Sequence, residues 1–121
     1  MMIAVGVDLV EVARVAQTIE RHGAHFLGRV FTEQEQAFCA GNATRLAGRF
    51  AIKEAVAKAL GTGIGDVRWR EIEVVCDARG KPHLILHAAA AELAQVRGWQ
   101  QWDISLAHTD THAIGFVTAT G

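Results

Sequence analysis

Two acids stand out by their surroundings. Asp8 follows the apolar run Ile3 to Val7, and Glu54 is the only acid between Glu35 and Asp66, set among Phe50, Ala51 and Ala55 in a helical pattern. A carboxylate in such company is partly desolvated and favours a nearby cation. Arg49, Lys53 and Lys58 recur around Glu54. If Asp8 and Glu54 converge on a pocket lined by those three cations, the pair would hold Mg²⁺. That ion takes one or two protein carboxylates and completes its octahedron with water and phosphate oxygens. Each acid also has a plainer use. Asp8 lies where a strand gives way to a helix and could be its N-cap, worth about 1 kcal/mol. Glu54 and Lys58 at i, i+4 could form a helix ion pair, worth about 0.3 to 0.5 kcal/mol when exposed.

Other candidates narrow quickly. Gly61-Thr62-Gly63-Ile64-Gly65 follows a helix rather than opening one, which argues against a P-loop or Rossmann loop. It reads as a helix C-cap and turn, although a glycine-rich bend also lets backbone N–H groups approach a phosphate. None of the six histidines forms an i, i+4 pair on a helix: His22 and His25 are i, i+3, and His108 and His112 flank a loop. A histidine zinc site is therefore disfavoured. Ser105 and His108 lack a nucleophile-elbow context. Trp69, Trp99 and Trp102 suit packing better than stacking platforms. Arg14 and Arg21, two turns apart, share one helix face and make it basic.

The elements that must position these residues follow from periodicity. Ile3 to Val7 predicts a buried strand. Leu9, Val12, Ala13, Ala16 and Ile19 then recur at helical spacing until Gly23, which puts Asp8 at the junction. Thr32 and Glu35 have capping-box spacing and open a short helix through about Ala40, ended by Gly41 and Asn42. Thr44 to Leu60 predicts a long helix that is apolar nearly all round, the mark of a central element wrapped by others. Glu71 to Cys76 and His83 to His87 predict two strands joined by a turn over 77–82. Ala88 to Arg97 predicts a short helix closed by Gly98, and Trp102 to Leu106 and Ala113 to Ala119 two further strands. The fold class is α+β, an antiparallel sheet against a long buried helix.

Length and composition bound the reading. At 121 residues, half of them apolar, the chain suits one domain over 1–121. Its net charge of -1 disfavours a whole-molecule grip on nucleic acid. Cys39 and Cys76 lie far apart in apolar runs, as suits two buried free thiols in a reducing, cytoplasmic setting. The amino terminus lacks the basic flank of a secretory signal, Met2 could initiate as well as Met1, and no apolar stretch approaches the roughly 18 to 20 residues of a membrane span. There is no linker, low-complexity tract or internal repeat.

Three segments, taken together, carry a resemblance: Val5-Gly-Val-Asp8-Leu-Val-Glu11-Val-Ala-Arg14; Arg29-Val-Phe-Thr32-Glu-Gln-Glu35; and Ala47-Gly-Arg49-Phe-Ala-Ile-Lys53-Glu54-Ala-Val-Ala-Lys58-Ala-Leu-Gly-Thr-Gly63. With the Gly80-Lys81-Pro82 turn, Ile104-Ser105-Leu106 and Ala113, the chain closely resembles, over nearly its whole length, the bacterial holo-[acyl-carrier-protein] synthases, the small 4'-phosphopantetheinyl transferases. The resemblance implies a single domain of that fold, which transfers the phosphopantetheine arm of coenzyme A to a serine of acyl carrier protein. Adenosine 3',5'-bisphosphate would be released, in the service of fatty acid synthesis. By matched position Asp8 and Glu54 would ligate Mg²⁺, Glu54 would also serve the serine's proton, and Lys58 would stabilise phosphate charge. Arg49, Lys58, Gly61, Thr62, Gly63, Lys81, Pro82 and His108 would line the coenzyme A side, and Arg14 and Arg21 would meet an acidic helix of the carrier protein. A homotrimer is implied, with sites at subunit interfaces and apolar strand faces around the threefold axis. Two positions depart from the pattern: Asp103 stands where His is frequent, and Ala107 where Ser or Thr is. Two other classes stay in view, a non-catalytic trimer that binds coenzyme A or carrier protein, and a Mg²⁺-dependent phosphate-ester hydrolase.

Overall fold

The computed structural model describes residues 2–121. Met1 of the expected domain, and the choice between Met1 and Met2 as start, lie outside the described residues. In chain order the elements are β1 (Ile3–Glu11), α1 (Val12–Val30), α2 (Glu33–Cys39), α3 (Ala43–Leu60), a 3₁₀ turn (Trp69–Glu71), β2 (Ile72–Cys76), β3 (Pro82–Leu86), α4 (Ala88–Val96), β4 (Gln101–His108) and β5 (His112–Thr120). The antiparallel pairing forms two sheets rather than one: β1-β5-β4, and the hairpin β2-β3.

The helix α3 is the axis of the molecule. Ile52, Val56 and Leu60 are fully buried against β2, α4, β4 and β5, while Leu46 and Ala47 pack with α1, Phe31 and Cys39. The apolar circumference read in the sequence is thus accounted for by a neighbour on each side. Burial of side chains of this size stabilises by about 1.5 to 3 kcal/mol each. Trp69 stacks on Phe50 with ring centroids 4.8 Å apart, and Trp99 and Trp102 pack against the core, as their packing reading expected. The capping box is present: Thr32 N–H donates to Glu35 Oε1 at 2.9 Å, and Glu35 N–H to Thr32 Oγ1 at 3.2 Å. Asn42 caps α3 by accepting from Arg45 N–H at 3.0 Å.

Three local expectations change. The first strand does not end before Asp8 but runs through Glu11, held in register with β5 as Asp8 opposite Gly115 and Glu11 opposite His112. Asp8 is therefore a strand residue and not an N-cap; Glu11 holds that place without a side-chain cap. Second, the following helix breaks at Gly23, whose φ of 48° and ψ of -125° leave helical space, and then resumes to Val30. Third, His87 closes no strand but occupies the N-cap of α4.

The approach of β1 and β5 to α3 fixes the site. A Cβ on Gly6 would fall 1.9 Å from Ala55 O, and one on Gly115 would fall 2.6 Å from Ile52 N. Only a residue without a side chain lets the strands lie directly on the helix backbone at those points. This contact brings Asp8, two residues after Gly6, beside the turn of α3 that carries Glu54. The opposite face of the strand, expected to be buried, is open: Ile3, Val5, Val7 and Leu9 are 49% to 66% exposed, and Ile114 and Phe116 of β5 extend the apolar surface.

Candidate active site

Asp8 and Glu54 line one cavity of about 390 Å³, together with Glu11, Arg14, Phe50 and His112. Lys58 Nζ donates to Asp8 Oδ1 at 3.0 Å and to the carbonyl of Val7 at 3.1 Å. The lysine thus pairs across elements with Asp8, and the i, i+4 pair with Glu54 is not formed. Among the described residues the Glu54 carboxylate has no ion-pair partner. Burial pushes its pKa above the usual carboxylate value, the negative charge of Asp8 pushes it further, and Lys58 opposes both. Two carboxylates at one cavity, the charge of Asp8 disfavouring that of Glu54, are a donor set suited to a hard divalent cation. Among the described residues no three His, Cys, Asp or Glu side chains gather as a metal cluster. Mg²⁺ fits such a two-carboxylate site because it keeps water and substrate oxygens in its remaining positions.

Lys53 does not join this cavity. It is fully buried, and its ammonium donates to Glu35 Oε1 at 2.8 Å, to Trp69 O at 3.1 Å and to Ile72 O. Burial pushes its pKa below the ordinary lysine value, with Glu35 opposing. Arg49 also lies away from Glu54. Five residues apart on a helix means about 140° of rotation, so the two point to different sides of α3. Arg49 lines a second cavity of about 380 Å³ with Phe38, Arg45, Cys76, Lys81, Pro82, Ser105 and His108. Its Nη2 donates to Cys76 Sγ at 3.2 Å, its guanidinium lies over the Phe38 ring, and its buried Nε has no hydrogen-bond partner. A buried donor left unpaired is costly, and an anionic ligand would satisfy it.

The loop over 77–81 presents Lys81 to this second cavity, and β3 begins there with Pro82. Asp77 Oδ1 accepts from Arg79 N–H at 2.9 Å and Lys81 N–H at 3.0 Å, and its Oδ2 lies 3.0 Å from His83 Nε2. Asp103, one of the two residues that depart from the family pattern, has its Oδ1 3.4 Å from Lys81 Nζ. Gly61, Thr62 and Gly63 line neither cavity. Their N–H groups donate back to the carbonyls of Ala57 and Lys58, as the helix-cap reading expected. Arg14 and Arg21 do share a face, around a shallow groove with Gln17, Thr18 and His22 that adjoins the acidic cavity at Arg14. Both cysteines are free, Cys39 buried as expected but Cys76 only half-buried at its cavity.

Several lining residues were missed from sequence. Arg45, one helical turn before Arg49, carried a usable signal; Glu11 and His112 did not, because only the β1–β5 register places them opposite each other at the cavity.

The family model of the 4'-phosphopantetheinyl transferase superfamily matches residues 4–117. The holo-[acyl-carrier-protein] synthase of Herpetosiphon aurantiacus is 46% identical, over 99% of this chain and all of that protein. Among solved structures, the holo-[acyl-carrier-protein] synthase of Neisseria meningitidis aligns with a TM-score of 0.90 at 34% identity, covering 99% of this chain and 100% of the other. That of Helicobacter pylori, solved in complex with coenzyme A, aligns at 0.88 and 29% identity, covering 96% and 99%. The α+β fold with its two antiparallel sheets is the fold of these enzymes.

Proposed function

The chain belongs to the 4'-phosphopantetheinyl transferase superfamily, and from that premise we propose that it transfers the phosphopantetheine arm of coenzyme A to a serine hydroxyl of acyl carrier protein for fatty acid synthesis. The observation that carries this reading is the meeting of Asp8 and Glu54 in one cavity beside Lys58. Its relatives add weight, being holo-[acyl-carrier-protein] synthases along their whole length, one of them solved with coenzyme A.

Asp8 and Glu54 would hold Mg²⁺, which supplies charge neutralisation at the pyrophosphate. The serine oxygen forms a bond to the phosphorus that carries the pantetheine arm. The bond from that phosphorus to the bridging oxygen breaks, and adenosine 3',5'-bisphosphate leaves with the electron pair. Lys58, already held at Asp8, is placed to stabilise negative charge on the phosphates. Glu54 takes the serine's proton, directly or through water, a role that its raised pKa suits. Arg49, Lys81 and His108 offer donors to the nucleotide half of coenzyme A, and the unpaired Arg49 Nε supports an anion there. Arg14 and Arg21 would steer the acidic carrier protein toward the adjoining cavity.

The acid and the basic cavities lie on different sides of α3. We take this to support a site shared between copies of the chain, one contributing Asp8, Glu54 and Lys58 and its neighbour contributing Arg49 and Lys81. The apolar face of β1 and β5 gives the homotrimer implied by the family a surface to bury. Two unbridged cysteines suit a reducing, cytoplasmic setting.

The test is the intact mass of apo-acyl carrier protein after incubation with this protein, coenzyme A and Mg²⁺, with and without EDTA. A gain of one phosphopantetheine that EDTA abolishes is expected. Binding of coenzyme A with no gain on any carrier protein would point to a non-catalytic module, and release of the bisphosphate without carrier protein to a hydrolase.

A further inference from the structure

Glu54 has no ion-pair partner of its own among the described residues, so its direction depends on how α3 is set. Where α3 touches the glycines of β1 and β5, the contact itself gives little grip. Ala51 and Ala55 meet Gly6 and Gly115 there, backbone against backbone. Helices resist rolling through side-chain ridges seated in grooves, and a contact of alanine on glycine has almost none. That contact fixes the spacing between strand and helix and leaves the rotation of the helix to the side chains around it: Ile52 and Val56 in the core, Lys58 on β1, and a residue on the far side.

The opposite side of α3 carries a pin. Lys53, the residue before Glu54, is fully buried with Glu35, and its single ammonium is held by α2 through Glu35, by the 3₁₀ turn through Trp69 O, and by β2 through Ile72 O. Glu35 is itself fixed, since its Oε2 accepts Val74 N–H at 2.9 Å and its Oε1 accepts Thr32 N–H at 2.9 Å. The pair stabilises the fold through the main-chain groups it satisfies, Val74 N–H, Thr32 N–H, Trp69 O and Ile72 O, but its charges add little of their own. Removing both charges from water costs several kcal/mol per ion, and a well-packed apolar pair of similar volume is often as stable or more so. What an apolar pair lacks is direction.

We propose that the buried Glu35–Lys53 pair positions Glu54: by fixing the rotation of α3 from its far side, it aims the carboxylate of the next residue, about 100° around the helix, at Asp8. The inference rests on the reading of Asp8 and Glu54 as the cation-binding acids, and its test separates the two. Lys53→Met combined with Glu35→Leu removes both charges at similar volume. The double variant is expected to remain folded and to melt cooperatively, at a temperature lowered by the loss of partners for Val74 N–H and Ile72 O. Its affinity for Mn²⁺, read by electron paramagnetic resonance with coenzyme A present, should nevertheless fall by about tenfold, the usual lower bound for losing a residue that orients a ligand. Turnover should fall with it, while KM for carrier protein stays put. Unchanged Mn²⁺ affinity in a double variant that folds would overturn positioning.

If the double variant does not fold, Lys53→Arg takes its place. A longer fork cannot bring one atom to all three acceptors, and unchanged Mn²⁺ affinity in that variant would also overturn the proposal. A wild-type protein that binds no Mn²⁺ would sink the metal reading alone. The positioning role is read independently in a crystal structure of the folded variant, where Glu54 should be turned away from Asp8. A Glu54 that superimposes on the wild type would overturn it.

Discussion

Glu54 and Lys58 divide one task between charge and counter-charge. Burial and Asp8 raise the pKa of Glu54 from its ordinary 4.5, and Lys58 is the group that pulls it back. Only the ionised carboxylate holds a metal. The Mg²⁺ concentration for half-maximal activity should therefore climb as pH falls through a range above the ordinary glutamate value. In Lys58→Gln the restraint is gone, so that climb should begin at higher pH, on top of a lower turnover. Mg²⁺ titrations between pH 5 and 8 in both proteins check this; coincident acid limbs would show that Lys58 does not govern the charge on Glu54. The raised pKa also has a sign for stability. The folded state binds this proton more tightly than the unfolded state, so in the absence of metal the contribution of Glu54 declines as pH rises from the unfolded pKa to the folded one.

At the scale of elements, the approach of β1 to α3 makes the clearest demand. Gly6→Ala would place a methyl group 1.9 Å from Ala55 O, so β1 and α3 must part. Overpacking of a core contact costs about 1 to 3 kcal/mol, and here it also separates Asp8 from Glu54. Gly6→Ala should lower both the melting temperature and the response to Mg²⁺. A variant that melts and titrates like wild type would mean the two elements separate without consequence. A second linkage joins α2, β2 and α4 through Glu73. Burial alone would raise its pKa, but the Thr32 hydroxyl donates to Oε2 and His87 Nε2 lies 3.0 Å from Oε1, and together they hold it below 4.5. A depressed folded pKa gives stability that is complete above the unfolded value and lost as pH falls through the folded one. Glu73→Gln should accordingly flatten the acid decline of the melting temperature below roughly pH 4.5, and an unchanged slope over pH 3 to 7 would count against the linkage.

Local signals read these elements well wherever the deciding groups lie within one turn of each other. The Thr32–Glu35 box, the Asn42 boundary and the Gly61 stop are all of that kind. The plainer reading of Asp8 as a cap fails because the partner that extends its strand, β5, lies more than a hundred residues away, and an apolar run gives no warning of where pairing ends. Lys53 was misread for a different reason. On a helix apolar on every side, spacing cannot tell a lysine that faces a cavity from one buried against a distant glutamate. The angle between Arg49 and Glu54, by contrast, is available from helix geometry alone and already puts the arginine and the acid on different sides of the helix.

That separation sets the problem for the whole molecule. A single chain carries an acidic cavity and a basic cavity on different sides of α3, and its sheet leaves Ile3, Val5, Val7, Leu9 and Phe116 uncovered. An apolar face of this kind is stable when another surface covers it. The proposed ring of identical chains would answer both needs at once, with each head-to-tail interface setting one copy's acids against its neighbour's arginine. The arrangement predicts complementation. Glu54→Gln and Arg49→Gln proteins should each be nearly inactive alone. Unfolded together and refolded as a mixture, they should regain about a quarter of wild-type activity, since one interface in four then pairs an intact Glu54 with an intact Arg49. Val5→Asp, which puts a charge on the shared face, should abolish that recovery and lower the assembled mass measured by light scattering. If the refolded mixture stays as inactive as its components while wild type refolded alongside regains its activity, each site is complete within one chain, and the two cavities must serve different ligands.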